Sequence, residues 1–182
     1  MIALFYYILY NVGICKGGIA MSELILSSAY NDPDVLDLFK EYTDMLIEND
    51  SRFAAYLEIQ NYDDEIKDLS VKYGEPYGRL YIARVDGAPV GCVAMKNHDG
   101  ENSGELKRLY VRSEYRGRGY ARIMTERILA DAKSVGYEAV YLDTLPFLTA
   151  AKHLYEKLGF VVCEPYNDDP MGCSIFMCRR FE

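Results

Sequence analysis

Hydrophobic and polar residues follow two different periods along this chain, and these periods predict strands and helices in a mixed order. Short runs of alternating or continuous apolar residues indicate β-strands, whereas apolar residues that recur every three or four positions indicate amphipathic helices. The predicted strands are 23–29, 79–85, 89–96, 105–111, 139–143, 160–163 and 173–181. The predicted helices are one that begins at Pro33, one or two across 52–74, and those at 118–136 and 148–159.

Turn and cap residues support these boundaries. Asn31 or Asp32 can cap a helix that has Pro33 in its first turn. The Asp-Gly pair between strands 79–85 and 89–96 is typical of a hairpin turn. Antiparallel hairpins come first, and a strand–helix–strand–helix–strand succession follows them. This order predicts an α/β fold whose central sheet is partly antiparallel and partly parallel.

Composition narrows the class of partner. The chain has 182 residues, which suits one domain, and its formal net charge is −8. Such a charge disfavours nucleic acid and anionic membranes and suits a small-molecule partner. The five cysteines show no CxxC pattern, and together with the two histidines they show no metal-ligand spacing. We therefore expect reduced thiols, a cytoplasmic location and no metal.

The first 20 residues form an apolar, aromatic segment that ends just before a second methionine, Met21. The segment is short for a bilayer span, and no positive charge precedes it as in a signal peptide. Lys16, Gly17 and Gly18 can be encoded by a bacterial ribosome-binding sequence at a suitable distance before Met21. We hypothesise that residues 1–20 are translated from a start codon placed too early, and that 21–182 form a single domain.

The stretch "RGRGYA", 116–121, joins a predicted strand to a predicted helix. A glycine-rich turn at a helix N-terminus presents free N–H groups and binds phosphate. A Walker loop is excluded because Gly-Lys-Ser/Thr is absent. A dinucleotide fingerprint needs glycine where Arg122 stands, although Asp143 lies where a ribose-binding carboxylate would be expected. Coenzyme A is a third candidate, and a plain turn with solvated arginines is a fourth.

Two motifs together resemble the GNAT superfamily of N-acetyltransferases. Arg116, Gly119 and Ala121 match the pattern Arg/Gln-x-x-Gly-x-Gly/Ala, and "LYEKLGF" at 154–160 matches the late helix of that family. The resemblance implies a GNAT-like sheet flanked by helices, in which strand 105–111 splays away from strand 139–143. It also implies acetyl-CoA as co-substrate and an amine as acetyl acceptor.

The same resemblance assigns roles to individual residues. The strand and the turn would hold acetyl-CoA through Leu109, Tyr110, Val111, Arg116, Gly117, Arg118, Gly119, Tyr120 and Ala121. Tyr155 corresponds to the general acid, although a core tyrosine would show the same helical spacing. Glu105 corresponds to a base acting through water, with a solvated strand-end carboxylate as the alternative. Asp143 is a second base candidate or a counter-ion for the amine, and Leu148 replaces a coenzyme-binding asparagine found in many relatives.

The acceptor is the least defined part of the resemblance. The early helices and the last loop would wall its site, with Asp143, Tyr62 and Asn167 as substrate-binding residues. This lining suits a small-molecule amine or an amino-acid-like acceptor. The resemblance implies that the acetyl group passes directly from acetyl-CoA to this amine, on a monomeric or homodimeric enzyme. The alternatives are a transferase for protein N-termini or lysines, and a CoA-binding module without catalysis.

Overall fold

The structure, a computed structural model, describes residues 8–11, 23–98, 102–169 and 172–182. Most of the hypothesised upstream segment lies outside these residues, and only Ile8–Asn11 of it is described, as a strand. The elements in chain order are β1 Ile8–Asn11, β2 Glu23–Ser28, α1 Pro33–Asn49, α2 Phe53–Ile59, α3 Tyr62–Glu65, α4 Leu69–Tyr73, β3 Arg79–Val85, β4 Ala88–Asn97, β5 Ser103–Val111, a 3₁₀ turn Ser113–Tyr115, α5 Tyr120–Val135, β6 Ala139–Thr144, α6 Thr149–Lys157, β7 Val161–Val162 and β8 Ile175–Arg180.

The strands form one sheet in the order β1-β2-β3-β4-β5-β6-β8-β7. Neighbouring strands are antiparallel except β5 and β6, which are parallel. The predicted mixed α/β sheet is therefore confirmed. Among the described residues, no helix is both long and apolar enough to cross a bilayer.

Helices cover both faces of the sheet. Side chains alternate between the faces along a strand, so Tyr81 and Ala83 pack with one helix layer and Leu80 and Ile82 with the other. The first layer contains α5 and α6, and the second contains α1 and α4. The amphipathic spacing read from the sequence places these apolar stripes against the sheet.

Local chemistry fixes several helix boundaries. The Asp32 side chain caps α1 by accepting a hydrogen bond from the Asp34 N–H at 3.1 Å, as the sequence predicted. The stretch 52–74 forms three short helices rather than one or two. Asn61 adopts a left-handed conformation before α3, and Asp68 starts α4 by capping the Ser70 N–H at 3.0 Å.

Strand β5 has a splay on one side and a bulge on the other. β5 continues to Val111, but its register with β6 runs only from Ser103 to Glu105, so the two strands separate beyond that point. On its other side, the register with β4 shifts between Ala94, which faces Lys107, and Cys92, which faces Tyr110. The predicted splay is confirmed, and it opens the sheet between β5 and β6.

Candidate active site

Two cavities meet where β5 and β6 separate. The helix-side cavity has a volume of about 440 Å³ and lies between β5, the start of α5 and α6. The loop-side cavity has a volume of about 1040 Å³ and lies between β5, α2 and the 163–168 segment that follows β7. A small space of about 50 Å³, here called the junction, shares lining residues with both cavities. A molecule in each cavity would therefore reach the other at the junction.

The helix-side cavity contains most of the residues predicted to hold a coenzyme. Those that line it are Leu109, Tyr110, Val111, Arg116, Gly117, Gly119, Tyr120 and Ala121. Arg118 is the exception. Its guanidinium lies 5.4 Å from the centre of the Tyr115 ring and donates a hydrogen bond to the Glu114 carbonyl at 3.2 Å. Leu148 also lines this cavity.

The turn at 116–121 has the features of a phosphate cradle. Gly117 and Gly119 have φ angles of 76° and 84°, which side-chain-bearing residues rarely adopt. A Cβ atom at either glycine would meet nothing within 4 Å, so the space in front of the turn is open. No side chain caps α5 at Gly119, which leaves the first N–H groups of the helix available to an anion. The turn therefore offers open space and uncapped backbone N–H groups to an anion such as a phosphate.

Tyr155 lies on α6 and lines both the helix-side cavity and the junction. It is 5% exposed, and its ring packs edge-on against Phe160 with centroids 5.7 Å apart. Its hydroxyl forms no hydrogen bond with another described residue. Burial raises the pKa of this hydroxyl, and the nearby Tyr42 and Asp143 raise it further. The phenol therefore stays protonated at neutral pH, and its O–H is available to donate a hydrogen bond into the cavity.

Lys107 sits between two carboxylates at the junction. Its Nζ donates to Glu105 Oε1 at 2.9 Å and to Asp143 Oδ1 at 3.1 Å, and only 11% of its side chain is exposed. Burial alone would lower the pKa of Lys107, but attraction by Asp143 and Glu105 outweighs burial and raises it. The residue is therefore a fixed cation. An ammonium can donate three hydrogen bonds, and Lys107 donates two of them to these carboxylates.

Glu105 is held as a carboxylate by its neighbours. Lys96 Nζ lies 2.9 Å from its Oε2, and the Tyr166 hydroxyl donates to its Oε1 at 3.2 Å. Burial would raise the Glu105 pKa, but attraction and hydrogen bonds from Lys107 and Lys96 outweigh it and lower the pKa to about 2. A carboxylate with so low a pKa is a poor proton acceptor at neutral pH. The ion pairs thus give Glu105 a charge-balancing role, and its role as a base acting through water stays a prediction.

The remaining predicted substrate residues are not all brought together. Asp143 is the residue before the last in β6 and lines the junction, where the Tyr56 hydroxyl donates to its Oδ2 at 3.3 Å. Asn167 lines the loop-side cavity. Tyr62 lies outside the lining of both cavities, because its ring packs 5.0 Å from the Arg108 guanidinium.

The sequence interpretation missed Lys96 and Lys107. One signal was available, since Lys107 follows Glu105 by two positions and must share its face of the strand. The described residues hold no group of three or more His, Cys, Asp or Glu side chains placed to bind a metal. Within the same residues, four cysteines are free thiols.

Comparisons with known proteins agree with this geometry. The family model described as "Acetyltransferase (GNAT) family" matches residues 32–160. An uncharacterised N-acetyltransferase of Schizosaccharomyces pombe is 36% identical over 151 residues, covering 82% of this chain and 91% of that protein. N-acetylaspartate synthetase of Rattus norvegicus is 40% identical over 107 residues, which is 58% of this chain and 36% of the rat enzyme.

Solved structures show the same fold. A GNAT-family acetyltransferase from Staphylococcus aureus Mu50 aligns with a TM-score of 0.69 at 15% identity, covering 87% of this chain and 99% of that one. A Bacillus anthracis protein in complex with acetyl coenzyme A aligns with a TM-score of 0.52 at 23% identity, covering 59% and 65%. The family model spans more than half of the sequence and the Schizosaccharomyces pombe relative most of it. This chain therefore belongs to the GNAT family of acetyltransferases.

Proposed function

We propose that this protein is an acetyl-CoA-dependent N-acetyltransferase that moves the acetyl group directly to the primary amine of a small, amino-acid-like acceptor. One observation carries the proposal. The helix-side and loop-side cavities meet at the junction, where Tyr155, Asp143 and Lys107 converge. Such a site would let the acceptor amine attack the acetyl thioester directly, with no covalent enzyme intermediate.

Acetyl-CoA, when bound, supplies an activated acetyl thioester. The turn at 116–121 would hold its diphosphate, because the open glycines and the first N–H groups of α5 face the helix-side cavity. The main chain of β5 beyond Glu105 would hold the pantetheine arm in the manner of an added strand, since β6 no longer pairs with it there. Both roles use the backbone and tolerate varied side chains.

The charges at the junction match a free amino acid. Asp143 Oδ1 and Lys107 Nζ are 3.1 Å apart, and an α-amino acid carries an ammonium and a carboxylate at a comparable separation. The amino acid would bind so that opposite charges meet. Its ammonium would face Asp143, and its carboxylate would face Lys107, whose third N–H has no partner among the described residues. The similarity to an enzyme named N-acetylaspartate synthetase supports an amino acid as acceptor.

Three groups would carry the chemistry. Asp143 would attract the acceptor ammonium and help to remove its proton, which must leave before the nitrogen can attack. The main-chain N–H of Leu109 would stabilise the negative charge that develops on the thioester oxygen. Tyr155 would donate its proton to the departing thiolate, because it lines both the helix-side cavity and the junction.

A matched acceptor panel tests the proposal. Purified protein is incubated with acetyl-CoA and each of the L-amino acids, their methyl esters, or short peptides, and released CoA is followed with a thiol-reactive dye. We expect the free amino acids to give the highest kcat/KM and the esters, which lack the carboxylate, to fall at least roughly tenfold below them. Faster turnover of peptides would favour the protein-modifying alternative. Acetyl-CoA binding without turnover of any amine would indicate a non-catalytic module.

A further inference from the structure

The bulge in β5 contains a strained residue. Arg108 has a φ angle of 56°, in the left-handed region that non-glycine residues seldom occupy. It lies at the register shift between β4 and β5, and Leu109 follows it directly. Leu109 lines both the helix-side cavity and the junction. The strained residue therefore precedes the main-chain group that the proposed transfer uses, and such strain persists only where the surroundings enforce it.

A buried ion pair holds the side chain of this residue. Arg108 Nε and Nη2 donate to Glu65 Oε1 and Oε2 at 2.8 and 2.9 Å, which is a two-pronged contact. The two side chains are only 3% and 1% exposed. The guanidinium also packs between the rings of Phe39, at 5.6 Å, and Tyr62, at 5.0 Å. Both prongs of the guanidinium are thus committed to Glu65.

Glu65 is itself fixed from several sides. The Tyr73 hydroxyl donates to its Oε1 at 2.7 Å, and Lys72 forms a second ion pair with it. Burial would raise the Glu65 pKa, but hydrogen bonding and attraction from Arg108, with a further contribution from Lys72, lower it to about 2. The carboxylate is therefore charged at neutral pH, where the pair is intact. Glu65 ends α3, and the pair ties the α3–α4 segment to the bulge of β5.

We propose that Arg108 and Glu65 form a positioning pair for acetyl transfer. The pair holds the β5 bulge in its left-handed conformation and thereby holds the Leu109 main chain at the junction. This inference rests on the proposed function. A pair of this kind can also serve stability alone, because removing one partner of any buried ion pair is costly. The test must therefore separate positioning from stability.

The chain offers a matched control. Arg127 Nε donates to Asp131 Oδ2 at 2.8 Å on α5, and the Tyr81 hydroxyl donates to the same oxygen at 2.8 Å. None of these three residues lines either cavity or the junction. Asp131→Asn therefore weakens a second, less deeply buried ion pair at a distance from the proposed chemistry.

The variants are Glu65→Gln, which keeps the size of the side chain, Arg108→Lys, which keeps the charge, and the control Asp131→Asn. Kinetics use acetyl-CoA and the L-amino acid with the highest kcat/KM in the panel, well below each melting temperature. We expect Glu65→Gln and Arg108→Lys to lose at least roughly tenfold in kcat, with both KM values changed less than about threefold. The control should lose melting temperature but keep its kcat.

Hydrogen exchange gives a readout that does not depend on the acceptor. Amides in a peptide covering 106–111 should exchange faster in Glu65→Gln than in wild type. In Asp131→Asn, the same amides should exchange at the wild-type rate. Wild-type kcat and wild-type exchange in folded Glu65→Gln would overturn the positioning role, whatever happens to Arg108→Lys. If wild type itself transfers acetyl to no amine, the proposed function fails, and the exchange result still decides whether the pair holds the bulge.

Discussion

Replacement of Tyr155 by phenylalanine separates packing from proton transfer. The ring is 5% exposed and packs on Phe160, and phenylalanine preserves both features. The Tyr155 hydroxyl makes no hydrogen bond to a described residue, so its removal leaves no buried group without a partner. We therefore expect Tyr155→Phe to change the free energy of unfolding by less than about 1 kcal/mol.

Turnover should respond differently. If Tyr155 protonates the departing thiolate, its loss should lower kcat by roughly 10²-fold, which corresponds to about 2.7 kcal/mol of transition-state stabilisation. Acetyl-CoA affinity should change little, because the hydroxyl acts only when the thiolate forms. The assay is single-turnover acetyl transfer to the preferred acceptor, which observes the chemical step directly, together with calorimetry of acetyl-CoA binding.

Tyr81→Phe is the matched control. The Tyr81 hydroxyl donates to Asp131 at 2.8 Å and accepts from Arg127 at 2.9 Å, away from both cavities. Its removal should cost about 1.5–3 kcal/mol of stability and leave turnover unchanged. Wild-type single-turnover rates in folded Tyr155→Phe would refute the acid role, and the residue would then only fill the core.

Three further predictions concern the turn, the carboxylates and acid stability. Gly119→Asp should weaken acetyl-CoA binding at least roughly tenfold, about 1.4 kcal/mol. Gly119→Ala is the control, because it introduces only the backbone strain at φ 84°. Unchanged affinity of Gly119→Asp by calorimetry would remove the phosphate assignment. Asp143→Asn should lose activity near neutral pH and recover part of it at alkaline pH, whereas Glu105→Gln should lower the rate by a similar factor throughout; reversed pH–rate profiles would make Glu105 the base. Because the Glu65 pKa is lowered from 4.5 to about 2, its stabilisation of the fold, at most about 3 kcal/mol, is present above pH 4.5 and lost as pH falls toward 2. Urea unfolding should therefore show a smaller acid-induced loss in Glu65→Gln than in wild type.

Local signals predicted most of the fold. The Asp32 cap, the Asp-Gly hairpin and the helix that ends before Gly136 depend on neighbouring residues, and sequence displays neighbours directly. The division of 52–74 into three helices was missed, because the left-handed Asn61 interrupts a segment whose apolar residues continue. Asparagine tolerates both the right-handed and the left-handed helical conformation, so the sequence does not indicate which one Asn61 adopts.

The parts of the candidate site that depend on the backbone could be predicted from the sequence. The parts that depend on contacts between distant side chains could not. The glycine turn and the late helix carry motifs, so the helix-side cavity could be predicted. The contact of Lys107 with Asp143 depends on the register that sets Glu105 beside Tyr141. The contact of Glu105 with Tyr166 comes from a distant loop. Neither register nor loop placement is encoded in a local pattern, so the charge network emerged only from the structure.

The most direct measurement of the central claim is an initial-rate matrix. Acetyl-CoA and the preferred amino acid are varied against each other, while released CoA and N-acetyl product are quantified in the same samples. Direct transfer at the junction predicts intersecting double-reciprocal lines and one N-acetyl product for each CoA released. Parallel lines, as from a covalent acetyl-enzyme, or CoA release without N-acetyl product, would contradict the account.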